Sequence, residues 1–323
     1  MKRLLLFGST LTAALACASL ATAQPYPNKL VRIVIGFTAG GPADFIARTI
    51  AQKMSEQLGQ TVVVDNRAGA NGLLAADIVL KAPPDGYTVF MSSSGLLAFS
   101  THLYPDQQLD PIKEFIPITV AVGVPEFLVT TPALPVRSVK ELVALGKARP
   151  GQLNFASSGA GGLPHLAMES FCAATGIKAI HVPYKGAAQA VTDVMGGHVQ
   201  MTFLDVPVLA AQIRAGKLRA LTIATEKRSS LFPDVPTTAE VGYPSVTADN
   251  WYAAMFSNAT PKDVATRMNG VMVKAIHAPD VRERFSSQGI NAIGNSPEEF
   301  AAFWRAEYEK WGRFIKAAKI KVE

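Results

Sequence analysis

An α/β fold in two lobes, each a central sheet flanked by helices, is the architecture this sequence predicts. Three observations predict it. Strand-length apolar runs alternate with helix-length amphipathic patterns along the 323 residues, as βαβ units require. That alternation opens twice in the same way, with an apolar strand, a glycine-rich loop and a helix. Two stretches, at residues 117–135 and 247–253, interrupt it with proline-punctuated or aromatic β sequence suited to crossing from one lobe to the other.

The elements follow in order. Residues 30–35 form a buried strand and residues 36–43 a glycine-rich loop. A helix over residues 44–58 carries Ile46, Ile50, Met54 and Leu58 at every fourth position and stops at Gly59. Residues 61–64 give a second strand, residues 66–72 another glycine-rich loop, and Pro84-Asp85-Gly86 a turn into a strand at 87–91. Ser92, Ser93, Ser94 and Gly95 then read as a loop at that strand's end. After the first crossing the same grammar restarts: a helix at 138–148, a strand at 153–156, the loop 157–162, a helix at 164–175, and strands at 179–182, 201–204 and 218–224. The last helix has Ser296 as N-cap, Pro297 at its first position, and Glu298 and Glu299 at its positive end. Its stripe of Phe300, Phe303, Trp304, Trp311, Phe314 and Ile315 is expected to pack back on the first lobe. The expected division is residues 24–124 with 249–323 for lobe one, and 125–248 for lobe two.

The first residues point to export. Lys2 and Arg3 precede a mostly apolar run over residues 4–20, and Ala21-Thr22-Ala23 offers a small-x-small cleavage site before Gln24. Residues 1–23 therefore read as a signal peptide; the apolar run is short and rich in small residues for a membrane span. A lipid anchor on Cys17 is disfavoured, because Ala14 stands where a large aliphatic residue is expected. No later apolar stretch is long enough to span a bilayer. Of two cysteines only Cys172 lies beyond the signal, so no intrachain disulfide is expected. Loss of Lys2 and Arg3 lowers the formal charge of +6 by two, and no basic run is interleaved with aromatics, which argues against nucleic acid.

The chemistry lies in the paired loops. One runs Gly36-Phe37-Thr38-Ala39-Gly40-Gly41-Pro42-Ala43-Asp44, the other Ser157-Ser158-Gly159-Ala160-Gly161-Gly162-Leu163-Pro164-His165. Glycine lets backbone approach a ligand, and the helix behind offers unpaired N–H groups and its positive end, so two such loops facing each other would clamp an anion. Asp44 is expected to brace its own loop, since pointing inward it would repel an anion. His165 and Glu169 share a helix face at a spacing that metal ligands use, but no second histidine is near in sequence, so a supporting role and no metal is the expectation. Lys185 follows Pro183-Tyr184 in a loop, either solvated or facing an acidic ligand. Phosphate-loop, nucleophile-elbow, H-E-x-x-H and C-x-x-C patterns are missing, so neither cofactor nor catalytic residue is assigned. A secreted hydrolase using Ser157 or Ser158 is the weaker alternative.

These residues resemble a known family. GFTAGGPADFIAR from Gly36, DNRAGANG from Asp65, PDGYT from Pro84, LNFASSGAGGLPHLAMESF from Leu153, HVPYKGAAQAVTDVMGGHV from His181, GKLRALTIAT from Gly216 and PDVPTTAEVGYP from Pro233 are similar, in order and spacing, to the substrate-binding proteins of tripartite tricarboxylate transporters, the Bug receptors. The resemblance implies a type II periplasmic-binding fold with a cleft between lobes and two crossovers. It implies a monomeric, cofactor-free receptor that captures a small organic carboxylate for the membrane components of such a transporter, or else reports it to a sensor kinase. Candidate ligand contacts are Phe37, Thr38, Ala39, Gly40, Gly41, Ser92, Ser93, Ser157, Ser158, Gly159, His165, Tyr184 and Asp205, with Asp205 placed to select the distal group. Thr38 stands where the family often has proline or a small residue, a departure that bears on ligand choice.

Overall fold

In the computed structural model, which describes residues 26–69, 72–104, 106, 109–320 and 322, one long strand belongs to two sheets. The signal-peptide expectation, Cys17 included, lies outside the described residues. The strands are β1 (Val31–Ile35), β2 (Val62–Asn66), β3 (Thr88–Ser93), β4 (Phe115–Thr130), β5 (Leu153–Ser157), β6 (Ala179–Pro183), β7 (Met201–Asp205), β8 (Arg219–Ile223), β9 (Asp249–Ser257) and β10 (Asn291–Ala292). One sheet runs β2-β1-β3-β9-β4 and the other β6-β5-β7-β4-β8, with β10 pairing the first part of β4. Each half thus sets its second, first and third strands in parallel, with an antiparallel neighbour beside the third: β9, which returns, in the first half and β4, which enters, in the second.

Local chemistry explains the elements that carry the site. Val31, Ile33, Val34 and Ile35 of β1 are wholly buried, as in a parallel strand covered on both faces. Helix α1 (Pro42–Leu58) starts two residues earlier than its periodicity predicts, because Pro42 fits the first turn. It ends at Gly59, left-handed at φ 63°, and buries Ile46, Ile50 and Met54 against the first sheet. The other helices are α2 (Leu73–Leu80), α3 (Ser100–Leu103), α4 (Pro111–Glu114), α5 (Val139–Ala148), α6 (Leu163–Thr175), α7 (Ala187–Met195), α8 (Val206–Arg214), α9 (Lys262–Ile276), α10 (Pro279–Ser286) and α11 (Pro297–Ala318).

Two expectations are corrected here. Ser92 and Ser93 are not loop residues: they extend β3 by pairing with Ala253 and Tyr252 of β9, and a π-turn (Gly95–Phe99) follows. The proline-rich crossing is one strand of 16 residues. Pro117 sits at a register shift, and Pro125 where β4 leaves β9 and Glu126 begins pairing with β7, so neither proline breaks a regular ladder.

Helix α11 has the capping box: Ser296 Oγ accepts from Glu299 N–H at 3.2 Å and Glu299 Oε2 from Ser296 N–H at 2.9 Å. Phe300, Trp304, Trp311 and Ile315 are buried, and Trp304 Nε1 donates to Leu97 O at 2.8 Å, which fastens the helix to the π-turn. Phe303 leaves the stripe, 37 % exposed, and meets Trp251 edge-on at 5.4 Å.

Gly36 is where the first loop needs glycine. A Cβ there would lie 2.6 Å from the Gly72 Cα, a backbone atom that cannot swing aside. Gly36→Ala is therefore expected to cost about 1–3 kcal/mol. Calorimetry should show the midpoint falling by several degrees; an unchanged midpoint would contradict this packing.

Candidate functional site

Both sheets aim the loop after their first strand at one cavity of about 610 Å³. Thr38 and Pro42 stand on one wall, residues 158–164 on the other. The helices behind the loops begin alike. Gly41 and Gly162 are extended N-caps, neither helix has a side-chain cap, and each has a proline in its first turn. The free N–H groups of two first turns, and two positive dipole ends, therefore border the same space.

Asp44 holds the first loop. Its carboxylate, 5 % exposed, accepts from Gly40 N–H at 3.0 Å, Arg48 Nε at 2.9 Å and Asn66 Nδ2 at 2.9 Å. Asn66 Nδ2 also donates to Phe37 O at 3.2 Å, tying the loop to β2. Burial would raise this carboxyl, but the bonds from Arg48, Gly40 and Asn66 outweigh it and hold it at about 2. Its charge is answered locally by Arg48.

A stacked imidazole pair, one ring buried and the other half-buried, holds the second loop. Ser157 Oγ, at the end of β5, donates to Gly159 O at 3.0 Å and lies 2.7 Å from His181 Nε2. His165 Nδ1 accepts from Gly161 N–H at 3.1 Å, so this ring carries its proton on Nε2, 3.8 Å from Glu169 Oε1. The two imidazoles stack at 3.8 Å with planes 8° apart, and Phe155 stacks on His181 at 4.9 Å. Burial lowers both to about 4, with the neighbouring His181 adding to the effect on His165. The sequence reading that no second histidine accompanies His165 is thereby corrected; β6, paired in parallel with β5, delivers it.

The floor is acidic. Asp205, at the end of β7, faces the cavity beside Asn250 and Tyr252 of β9. Asn250 Nδ2 lies 3.3 Å from Asp205 Oδ2, and its Oδ1 accepts from Ser94 Oγ at 3.1 Å, a polar link between the two sheets. Burial, then the charge of Asp249, raises Asp205 against the Asn250 bond. Behind it Glu126 is wholly buried with no hydrogen-bond partner for its carboxyl oxygens, and burial together with Asp205 and Asp249 pushes it well above the carboxylate range.

Of the residues singled out from sequence, Phe37, Thr38, Ser93, Ser158, Gly159 and Asp205 line the cavity. The others are placed elsewhere, each for a visible reason. Ala39 and Gly40 are exposed, and the Gly40 N–H is already spent on Asp44. Gly41 caps α1, its carbonyl taken by Phe45 N–H. Ser92 alternates with Ser93 along β3 and so points to the opposite face. Ser157 and His165 lie behind the loop as its supports. Tyr184 turns to Asp193 Oδ2 at 2.5 Å, and Lys185 is exposed outside the wall. Leu96, Ser100, Tyr104 and Asn250 also form the wall and were missed; the aromatic Trp251-Tyr252 pair was the one signal of that region. Ser157 is poorly placed for hydrolysis: it is buried, and among the described residues no carboxylate pairs with His181.

The profile described as "Tripartite tricarboxylate transporter family receptor" matches residues 46–320. The chain belongs to this family. Protein BugT of Bordetella pertussis (strain Tohama I) is 35 % identical over 324 residues, covering 100 % of this chain and 99 % of BugT. The R. palustris protein Rpa4515, solved with adipate, superposes with a TM-score of 0.83 at 33 % identity, covering 92 % of this chain and 99 % of that one. MatC from Rhodopseudomonas palustris, solved with bound malate, gives 0.79 at 27 % identity over 90 % of this chain and 100 % of that one. The fold is the two-lobe periplasmic-binding fold of these transporter receptors, and this receptor's role is solute capture for transport. Among the described residues no helix is long and apolar enough to cross a membrane.

Proposed function

We propose that this receptor, exported through its residues 1–23, captures a small organic carboxylate in the periplasm and presents it to the membrane components of a tripartite transporter, acting as a monomer and without catalysis. The observation that carries this is the pair of uncapped helix ends, at Gly41 and Gly162, bordering one cavity. A carboxylate there would take N–H groups from both first turns, with the hydroxyls of Thr38 and Ser158 adding direction. The adipate and malate bound by two solved relatives support an acid of similar size. The lobes would be residues 24–124 with 249–323, and 125–248, rotating about the junction where Pro125 and Glu126 of β4 face Asp249 and Asp205. A micromolar receptor needs about −8 kcal/mol. Several charge-assisted bonds of roughly 1.5–3 kcal/mol each, less ordering costs, supply that.

Two measurements test it. Native mass spectrometry of freshly purified protein should show a retained acid, and a thermal-shift screen of carboxylic acids, adipate and malate among them, should raise the melting temperature by mass action. A best stabiliser that is uncharged or cationic, with acids inert, would overturn the reading.

A further inference from the structure

A second cavity, also of about 610 Å³, lies on the reverse face of the strands that join the two sheets. Alternation along β9 separates the two spaces: Asn250 and Tyr252 face the cleft, whereas Asp249 and Trp251 face this rear cavity. Its remaining wall comes from the segment after β8, from the end of α10 and from Phe303, Glu307 and Lys310 of α11.

Two polar atoms in that wall are unpaired. Trp251 is 1 % exposed, yet its indole Nε1–H has no acceptor, unlike Trp304, which donates to Leu97 O, and Trp311, which donates to Glu307 Oε2. A buried indole N–H normally finds a partner. Asp249 Oδ1 likewise has none. The chain makes room for that carboxyl: a Cβ on Gly123 would come within 2.7 Å of Asp249 Oδ2. The charges around it are mixed: Glu226, Lys227, Arg228, Glu307 and Lys310 line the space, the Val124 N–H bonds the Asp249 carboxyl, and Lys310 attracts that carboxyl while Glu307 repels it. Lys310 Nζ holds Glu307 Oε1 and Thr247 Oγ1, each at 2.9 Å, and Arg228 Nε holds Glu240 Oε2 at 2.9 Å. Asp249 and Trp251 thus bring a carboxylate acceptor and a neutral donor to this wall from positions two residues apart on one strand face, their Cα atoms about 7 Å apart.

We propose that the rear cavity is a second binding site, for a small zwitterion whose ammonium meets Asp249 and whose carboxylate meets the Trp251 indole N–H. An ammonium adds positive charge where Asp249 and Glu307 otherwise share Lys310, and a carboxylate satisfies the indole. A simple acid would face Asp249 with like charge, and a simple amine would leave the indole unpaired. This chemistry differs from that of the cleft, where two helix N-termini favour an anion.

The test uses 4-aminobutyrate, with butyrate and butylamine as probes that each keep one end. The 15N-labelled protein carries Ser158→Asp, so that carboxylates entering the front cleft do not contribute. Three tryptophans give three indole cross-peaks, and Trp251→Phe assigns the relevant one. The expected result is a saturable shift of the Trp251 peak with 4-aminobutyrate, at least about tenfold weaker with either half-probe and after Asp249→Asn, while the Trp304 and Trp311 peaks stay put. A Trp251 peak unmoved by 4-aminobutyrate, or moved equally by all three probes, would overturn the proposal, and neither result would touch the reading of the front cleft.

Discussion

Replacing Ser158 by aspartate is expected to weaken binding of the stabilising carboxylate at least about 100-fold, with the fold intact. Ser158 sits half-exposed on the cavity wall between the buried Ser157 and Gly159, with Thr38 on the other wall. An aspartate there sets a second anion against the ligand where water is largely displaced, and like charges brought together cost several kcal/mol. Ser158→Asn, of the same shape without the charge, should lose far less, about tenfold at most. Calorimetric titration of both variants decides it. Equal losses would mean that shape and not charge governs the cleft; no loss in either would remove the second loop from the site.

The second large effect concerns acid. His165 and His181 are held at about 4 by burial, with His181 adding to the shift of His165. In the unfolded chain a histidine titrates near 6.5. A depressed folded pKa means that the unfolded state binds the proton more tightly. The stability from the neutral pair is therefore complete above about pH 6.5 and is lost as pH falls toward 4. For His165 the shift corresponds to roughly 3 kcal/mol, and the two rings do not add, because at 3.8 Å they resist holding two protons. Protonation at His165 Nδ1 also removes the acceptor of the Gly161 N–H, so the loop is the part that should loosen.

Glu126, Asp205 and Asp249 work the other way, since their raised folded pKa values favour the folded state as pH falls. The histidine contribution is thus read as a difference. His165→Asn with His181→Gln keeps polar atoms where Nδ1 and Nε2 now lie. Urea unfolding of this variant between pH 7 and 4 should lose about 2–3 kcal/mol less than the wild type over the same range. Parallel pH profiles would show that the imidazoles play no such part.

The sequence by itself determined seven of the strands, four of the helices and the two glycine-rich loops, because each depends on neighbours within a few positions. Ile46, Ile50 and Met54 repeat at helical spacing, Gly59 ends their helix, and Ser296 with Glu299 caps the last one; all of this is local and survives into the structure. Family membership was legible for a related reason: the loops and turns stand in a fixed order along the chain. Only the tertiary structure decided which loop residues face the ligand space. The Gly40 amide is consumed by Asp44 and Asn66 anchors Phe37, while Ser92 and Ser93 became strand only through β9, more than 150 positions away. His181 likewise reaches His165 only because β6 pairs with β5. Hydrogen bonds and stacking between remote segments have no period along the chain, so neither the supports behind the loops nor the rear cavity could be read before the strands were brought together.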